Sequence, residues 1–271
     1  MKCAKRTICS AVYWKRLRFD VGAATLPHPR KTNGGEDAFF FVESEESGSA
    51  TMGVADGVSA ANDGGKYAQS LMDAAASLAP SENDPYTLMH AAWTRAAARI
   101  EGRSTACLAS VANDERGALL RLCNLGDSGC FVLRPRGSRV GVAYRTRPQL
   151  WEWNCPFQLG TLDGTELNSP ADATADGIEL HGGDVVLLAT DGLTDALHPL
   201  EILELVAHDV REGKPASHMA QTLVETAIQL SKDGTRNSPV AEAMTREGHV
   251  ARSRELQDDV TVVACRVLAA D

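Results

Sequence analysis

Short apolar or aromatic segments run through the first third and the middle of the chain and are separated by Gly, Asn and Ser. Such segments are typical of β-strands. We predict strands over residues 18–24, 38–43, 51–55, 105–112, 119–125, 130–134, 140–145, 185–189 and 260–267. Short connections containing Gly or Asn favour antiparallel pairing between residues 105 and 145. The uninterrupted apolar runs at 185–189 and 260–267 predict central strands.

Helical periodicity occurs in four longer segments. Residues 66–79 place apolar side chains at helical spacing. A second helix is predicted to begin at Asp84-Pro85 and to run to about residue 101, with Gly102 as its stop. Residues 199–212 and 215–232 each begin at Pro and are followed by Gly. We predict an irregular segment over residues 146–182 and a polar loop with a short helix over residues 234–257.

The order of these elements favours an α+β fold in which clustered strands are followed by helices and one closing strand. There is no internal repeat and no flexible linker, so we predict one domain over residues 20–271. Residues 1–19 form a basic N-terminal segment without an acidic residue. Its basic residues are Lys2, Lys5, Arg6, Lys15, Arg16 and Arg18. This segment is interpreted either as a mitochondrial targeting segment or as a first strand with a solvated basic face.

Composition excludes several classes of protein. Of 271 residues, 44% are hydrophobic and 23% are charged, which is ordinary for a soluble globular protein. The net charge of −9 disfavours nucleic acid as a partner. No apolar run approaches the roughly 18 residues of a membrane span. Seven cysteines without Cys-x-x-Cys spacing indicate neither a zinc site nor a disulfide framework, which favours a reducing, intracellular compartment.

Acidic residues flank five of the predicted strands, and this is the main chemical signal in the chain. They are Glu36-Asp37, Asp56, Asp127, Asp191 and Asp258-Asp259. Any one of them alone would be interpreted as a turn or a solvated strand end. If the strand ends converge, however, the carboxylates repel one another unless cations lie between them. An all-oxygen ligand set selects Mg²⁺ or Mn²⁺, and Gly57 lets a backbone carbonyl approach an ion closely.

The motifs GGEDAFF, VADGV, STACLA, NLGDSG, LLATDGLTD and DDVTVV occur in this order between residues 20 and 268. The series resembles the metal-dependent protein phosphatases, the PPM or type 2C serine/threonine phosphatases. The stretches CPFQLGTLDGTELNSPADA and SPVAEAMTREG resemble the branch of that family that acts in mitochondria. The resemblance implies a four-layer α-β-β-α sandwich, with two central antiparallel sheets flanked by helices. It also implies hydrolysis of phosphoserine and phosphothreonine in a phosphoprotein substrate by a water molecule that two metal ions activate.

The resemblance also assigns residues to the site. Asp56 would bridge two Mg²⁺ or Mn²⁺ ions, and the Gly57 carbonyl would bind one of them. Asp191 and Asp258 would complete the shell of one ion, so that Asp56, Asp191 and Asp258 are the predicted catalytic residues. The other ion would be held by Glu36 and Asp37, largely through water. Asp127 would serve a weaker third ion together with Asp191. We expect a monomer with a mitochondrial or cytoplasmic location.

Two positions depart from the family pattern. Many members have a phosphate-binding Arg five residues before the Asp of the Glu-Asp pair, where this chain has Thr32. Arg30 or Lys31 could take that role, or could be a solvated loop charge. Many members also have His after the Asp-Gly pair as a general acid, where this chain has Val58. Two alternatives stay open: a metal-dependent phosphohydrolase of a small molecule, and an inactive phosphatase-like binding module.

Overall fold

The computed structural model describes residues 16–28, 31, 34–44, 46–58, 64–114, 117–137, 139–248 and 258–269. Most of the basic N-terminal segment, including its proposed targeting role, therefore lies outside the described residues. So do Arg30, Thr32 and the last part of the predicted polar loop.

The described residues form fifteen strands, six α-helices and one turn of 3-10 helix. The strands are β1 (Leu17–Leu26), β2 (Asp37–Ser44), β3 (Ser49–Asp56), β4 (Gly102–Ser104), β5 (Ala106–Asp114), β6 (Gly117–Leu125), β7 (Gly129–Arg136), β8 (Arg139–Arg145), β9 (Leu150–Glu152), β10 (Cys155–Pro156), β11 (Leu159–Leu162), β12 (Thr165–Glu166), β13 (Thr174–Leu180), β14 (Val185–Ala189) and β15 (Val260–Ala269). The helices are α1 (Gly64–Leu78), α2 (Pro85–Ala97), α3 (Asp191–Ala196), α4 (Pro199–Arg211), α5 (Ala216–Ser231) and α6 (Pro239–Arg246), with the 3-10 turn at Pro170–Asp172.

Two five-stranded antiparallel sheets form the centre of the molecule. The first has the strand order β1-β15-β14-β7-β8, and the second has the order β13-β6-β5-β3-β2. The two strands predicted to be central, β14 and β15, are both interior strands of the first sheet. A smaller three-stranded sheet, β12-β11-β4, and the hairpin of β9 and β10 stand beside them.

The core has three apolar layers, which explains why β14 is apolar throughout. Val185, Leu187 and Ala189 face the layer that α3, α4 and α5 cover. Val186 and Leu188 face the layer between the two sheets. Because successive side chains in a strand point to opposite faces, a strand buried on both sides has no polar position. Helices α1 and α2 cover the outer face of the second sheet. The predicted four-layer α-β-β-α sandwich is therefore confirmed.

The structure corrects the prediction for residues 146–182, which are not irregular. They contain four short strands and β13, which pairs with β6 at the edge of the second sheet. Most of β13 is exposed, so its sequence lacks the apolar segment from which the other strands were predicted. Helix α2 also ends earlier than predicted, at Ala97, and Gly102 begins β4 instead of stopping a helix.

Two smaller predictions are confirmed, those of a short helix in the polar loop and of Cys123 and Cys265 as core residues. The short helix expected in the polar loop is α6. The cysteines that the structure describes are all free thiols, and Cys123 and Cys265 are buried in the core as small apolar residues. Among the described residues, no helix combines the length and the apolar character that a membrane crossing requires.

Candidate active site

Five of the seven predicted metal-binding residues line one cavity of about 410 Å³. They are Asp56, Gly57, Asp127, Asp191 and Asp258. Each lies at or next to the end of a strand. The strands are β3 and β6 of the second sheet and β14 and β15 of the first sheet, so both sheets contribute residues to the cavity. The cavity therefore opens where the strand ends of both sheets meet.

Hydrogen bonds to Thr105 fix the backbone of Asp56, and Asp56 lines the cavity. The Asp56 amide donates to the Thr105 hydroxyl at 3.1 Å, and the Asp56 carbonyl accepts from the Thr105 amide at 2.9 Å. The next residue, Gly57, has backbone packed against it on two sides. A Cβ at Gly57 would lie 2.5 Å from the Gly64 carbonyl and 2.7 Å from the Glu36 carbonyl oxygen. Only glycine lets the chain pass through this gap.

The other two predicted residues lie behind the cavity wall. Asp37 is directly opposite Asp56 in the pairing of β2 with β3. One oxygen of its carboxylate accepts a 2.8 Å hydrogen bond from the Thr190 hydroxyl, which in turn accepts from the Thr261 amide at 3.0 Å. Thr190 therefore joins the ends of β2, β14 and β15. The Glu36 carboxylate pairs with Lys31 at 2.6 Å, and Lys31 lines the cavity.

Asp259, for which the sequence indicated no role separate from Asp258, is an anchor for the loop before β2. Its buried carboxylate accepts from the backbone amides of His28 and Glu36, both at 2.6 Å, and from Lys31 Nζ at 2.8 Å. Burial raises the pKa of Asp259, but these three donors outweigh burial and hold the pKa below its ordinary value. Asp259 thus fixes the position of Glu36 as an ionised structural residue.

The pKa values of Asp37, behind the cavity wall, and of the aspartates that line the cavity shift in the opposite direction. Burial is the main cause that raises the pKa of Asp37 to about 7 and that of Asp127 to about 6. Burial also raises the pKa of Asp56 well above its ordinary value, with Asp191 and Asp37 as the next causes. The pKa of Asp191 is raised by burial and then by Asp127. Mutual repulsion of this kind requires that the carboxyl groups are near one another.

Unpartnered oxygen atoms show that the group fits a cation. Asp37, Asp127 and Asp191 each have one buried Oδ1 atom to which no described residue donates a hydrogen bond. Buried acceptors are normally satisfied, and a hard divalent cation would satisfy several carboxylate oxygens at once. Among the described residues, no three His, Cys, Asp or Glu side chains lie close enough together to hold one metal ion by themselves.

Sequence reasoning missed a further acidic residue, Asp195, in helix α3. Burial, then Asp127 and then Asp258 raise its pKa to about 7. The signal was available, because Asp191 and Asp195 are four residues apart and so share one face of a helix. The prediction treated that stretch as a strand end and a turn, since α3 is only six residues long.

Comparisons with known proteins agree with this geometry. The family model described as stage II sporulation protein E (SpoIIE) matches residues 51–268. The chain is 32% identical to "Probable protein phosphatase 2C 55" of Arabidopsis thaliana over 97% of its length, and the match covers 55% of that relative. It is 33% identical to "Protein phosphatase PTC7 homolog fig" of Drosophila ananassae, covering 86% of this chain and 73% of that one.

Solved structures show the same fold. The photosystem II phosphatase PBCP is 25% identical with a TM-score of 0.73, and the alignment covers 93% of this chain and all of that one. The catalytic domain of the serine/threonine phosphatase PstP, solved with two manganese ions, is 20% identical with a TM-score of 0.63, covering 93% of this chain and 99% of that one.

The chain spans about half the length of the first curated relatives that it matches. The residues that the family model matches include Asp56, Asp127, Asp191 and Asp258. The chain therefore belongs to the type 2C family of metal-dependent protein phosphatases.

Proposed function

We propose that this chain is a protein serine/threonine phosphatase that hydrolyses phosphoserine and phosphothreonine with metal-activated water. The observation that carries the proposal is the convergence of four aspartates and the Gly57 backbone on one cavity, with unpartnered carboxylate oxygens at Asp127 and Asp191. The names of the relatives, which are protein phosphatases, support this substrate class.

The positions of the acidic residues support the proposed ligand roles. Asp56 projects from a rigid strand end at the middle of the acidic group, and four aspartates raise its pKa after burial does, so we assign it as the bridge between two ions. The Gly57 carbonyl would bind one of these ions. Asp191 and Asp258 would complete the shell of one ion, and Glu36 and Asp37 would hold the other, largely through water. Asp127 would serve a weaker third ion together with Asp191, and Asp195, whose pKa Asp127 raises, would contribute to that third position.

The chemistry divides between the ions and the chain. When bound, Mg²⁺ or Mn²⁺ supplies a water molecule of lowered pKa and offsets negative charge on the phosphoryl oxygens. The manganese ions in the PstP structure support this choice of metal. The chain's own residues hold the geometry: Thr190 orients Asp37, and Asp259 fixes the loop that carries Glu36. A covalent phosphoenzyme is not needed for this reaction.

Metal dependence is the first test of the proposed function. Because every assigned ligand is an oxygen atom, activity should require Mg²⁺ or Mn²⁺ and should be abolished by a chelator, with recovery on adding Mn²⁺ back. The measurement is turnover of a phosphothreonine peptide and of p-nitrophenyl phosphate, each with and without chelator. Full turnover in metal-free buffer would contradict the proposal.

The same assay separates the alternatives. A phosphoprotein phosphatase should show a higher kcat/KM for phosphopeptides than for small phosphate metabolites. The reverse preference would favour a small-molecule phosphohydrolase. Absence of turnover for every ester at saturating Mn²⁺ would indicate a phosphatase-like binding module.

Location and assembly are further proposals. The resemblance to the mitochondrial branch, together with the PTC7 homolog among the relatives, supports a mitochondrial location, with the cytoplasm as the alternative. Fractionation of cells that express the tagged chain distinguishes the two. We propose a single catalytic domain that is monomeric, and sedimentation at working concentration tests this.

A further inference from the structure

Two cationic side chains line the cavity among the described residues, Lys31 and Arg103. Lys31 is already engaged by three carboxylates. Its Nζ lies 2.6 Å from Glu36, 2.8 Å from Asp259 and 3.6 Å from Asp258. Burial lowers the pKa of Lys31, but these carboxylates outweigh burial and raise it. The positive charge of Lys31 is therefore already neutralised by the carboxylates of Glu36, Asp258 and Asp259.

Arg103 is placed beside the proposed metal-binding backbone by β4. The Arg103 carbonyl accepts a 2.9 Å hydrogen bond from the Val58 amide. Its neighbour Ser104 forms an isolated antiparallel β-bridge with Gly57. On the other side, Arg103 pairs with Gly160 of β11. Because the backbone of Arg103 is held on both sides, its side chain starts from a fixed point at the cavity wall.

The guanidinium group of Arg103 is incompletely satisfied. One nitrogen, Nη2, donates to the Thr165 carbonyl at 3.1 Å. The Nε atom is buried and has no hydrogen-bond partner in the described part of the chain. No ion pair involving Arg103 occurs among the described residues. Arg134 shows the contrast, since its Nε and Nη2 donate to the two oxygens of Asp184 at 2.9 and 2.7 Å.

A buried cationic donor without a partner is unfavourable, and an anion with two or more oxygens would satisfy it. Guanidinium groups match phosphoryl oxygens in shape and charge. We propose that Arg103 binds the phosphoryl group of the substrate and so supplies the cation that Thr32 does not. This inference rests on the proposed function, because it assumes that a phosphate ester enters this cavity.

The test compares five variants with wild type, one of which, Arg103→Ala, leaves space for added guanidinium ion. Arg103→Met removes the charge but keeps the length, and Arg103→Lys keeps a single charge. Lys31→Met removes the other cavity cation. Arg147→Met is the matched control, because Arg147 is exposed and does not line the cavity. The readouts are the dissociation constant of inorganic phosphate in Mg²⁺ by calorimetry, and KM and kcat for p-nitrophenyl phosphate and a phosphothreonine peptide.

For Arg103→Met, the phosphate dissociation constant and the KM for both substrates should rise roughly ten- to a hundred-fold, as expected for loss of a charge-assisted contact. Arg103→Lys should lie between this variant and wild type. Guanidinium ion added at millimolar concentration should partly restore phosphate affinity to Arg103→Ala. Arg147→Met should match wild type. If Arg103 only supported the Thr165 carbonyl, Arg103→Met would lower the melting temperature without changing the phosphate dissociation constant.

Three results would overturn the proposal. The first is an unchanged phosphate affinity in Arg103→Met. The second is a loss of affinity in Lys31→Met alone, which would assign the role to Lys31. The third is an effect confined to peptides with an acidic residue beside the phosphothreonine, which would make Arg103 a contact for that residue. Calorimetry measures phosphate binding even if the wild-type protein shows no turnover. Failure of the Arg103 proposal can therefore be distinguished from failure of the proposed phosphatase function.

Discussion

Asp56→Asn is expected to reduce kcat/KM by roughly a thousand-fold, which corresponds to about 4 kcal/mol of transition-state stabilisation. The substitution keeps the volume of the side chain but removes the negative charge that would hold two ions together. The substitution should therefore disturb both the binding of the two ions and the position of the attacking water. The measurement is kcat/KM for a phosphothreonine peptide at saturating Mn²⁺.

The stability of the metal-free protein should not fall when Asp56 is replaced by asparagine. Burial and then Asp191 disfavour the ionised form of Asp56, so a neutral side chain at this position should not lower the melting temperature of the metal-free protein at neutral pH. Asp73→Asn, an exposed change on α1, is the matched control and should leave both activity and stability unchanged. If Asp56 only shaped the end of β3, asparagine would be tolerated there with near-normal turnover.

The metal-free protein is expected to become less stable as the pH rises from about 4 to about 7. The pKa values of Asp37 and Asp195 are raised to about 7 and that of Asp127 to about 6, chiefly by burial. The folded protein therefore binds more protons than the unfolded chain between the ordinary carboxyl pKa and these raised values. Stability must fall with pH across that window, by an amount of the order of several kcal/mol when the groups act together.

Asp259 does not cancel this effect. Its pKa is lowered, so the stability that it contributes is lost only as the pH falls below the ordinary carboxyl range. Urea denaturation in chelator at a series of pH values measures the slope, and Asp37→Asn should reduce it. Saturating Mg²⁺ should weaken or reverse the slope, because the ligands bind metal in their deprotonated form. A metal-free stability that rises between pH 5 and pH 7 would contradict the raised pKa values.

The sequence was most informative where strands are buried on both faces. The apolar runs that became β14 and β15 predicted central strands, and the acidic residues at their ends followed from the same pattern. Prediction failed where an element is short or exposed. Strand β13 is largely exposed at a sheet edge, and α3 is too short to show helical periodicity.

The site was predictable in its acidic residues but not in their support. Asp56, Asp127 and Asp191 could be recognised because each stands next to an apolar strand. Lys31 and Thr190 contact residues far away in the chain: Lys31 is 228 positions from Asp259, and Thr190 is 153 positions from Asp37. Local patterns contain no information about such pairs. Arg103 was missed because it lies in a three-residue strand for which the sequence has no periodic signal.

Crystals grown with Mn²⁺ give the most direct test of the central claim that Asp56 bridges two metal ions. The anomalous difference map should contain two manganese peaks in the cavity, separated by roughly 3.5–4 Å. Each should lie about 2 Å from an oxygen of Asp56, with the Gly57 carbonyl on one of them. A map with no peak in this cavity, or with peaks that Asp56 does not contact, would contradict the assignment of Asp56 as the bridging ligand.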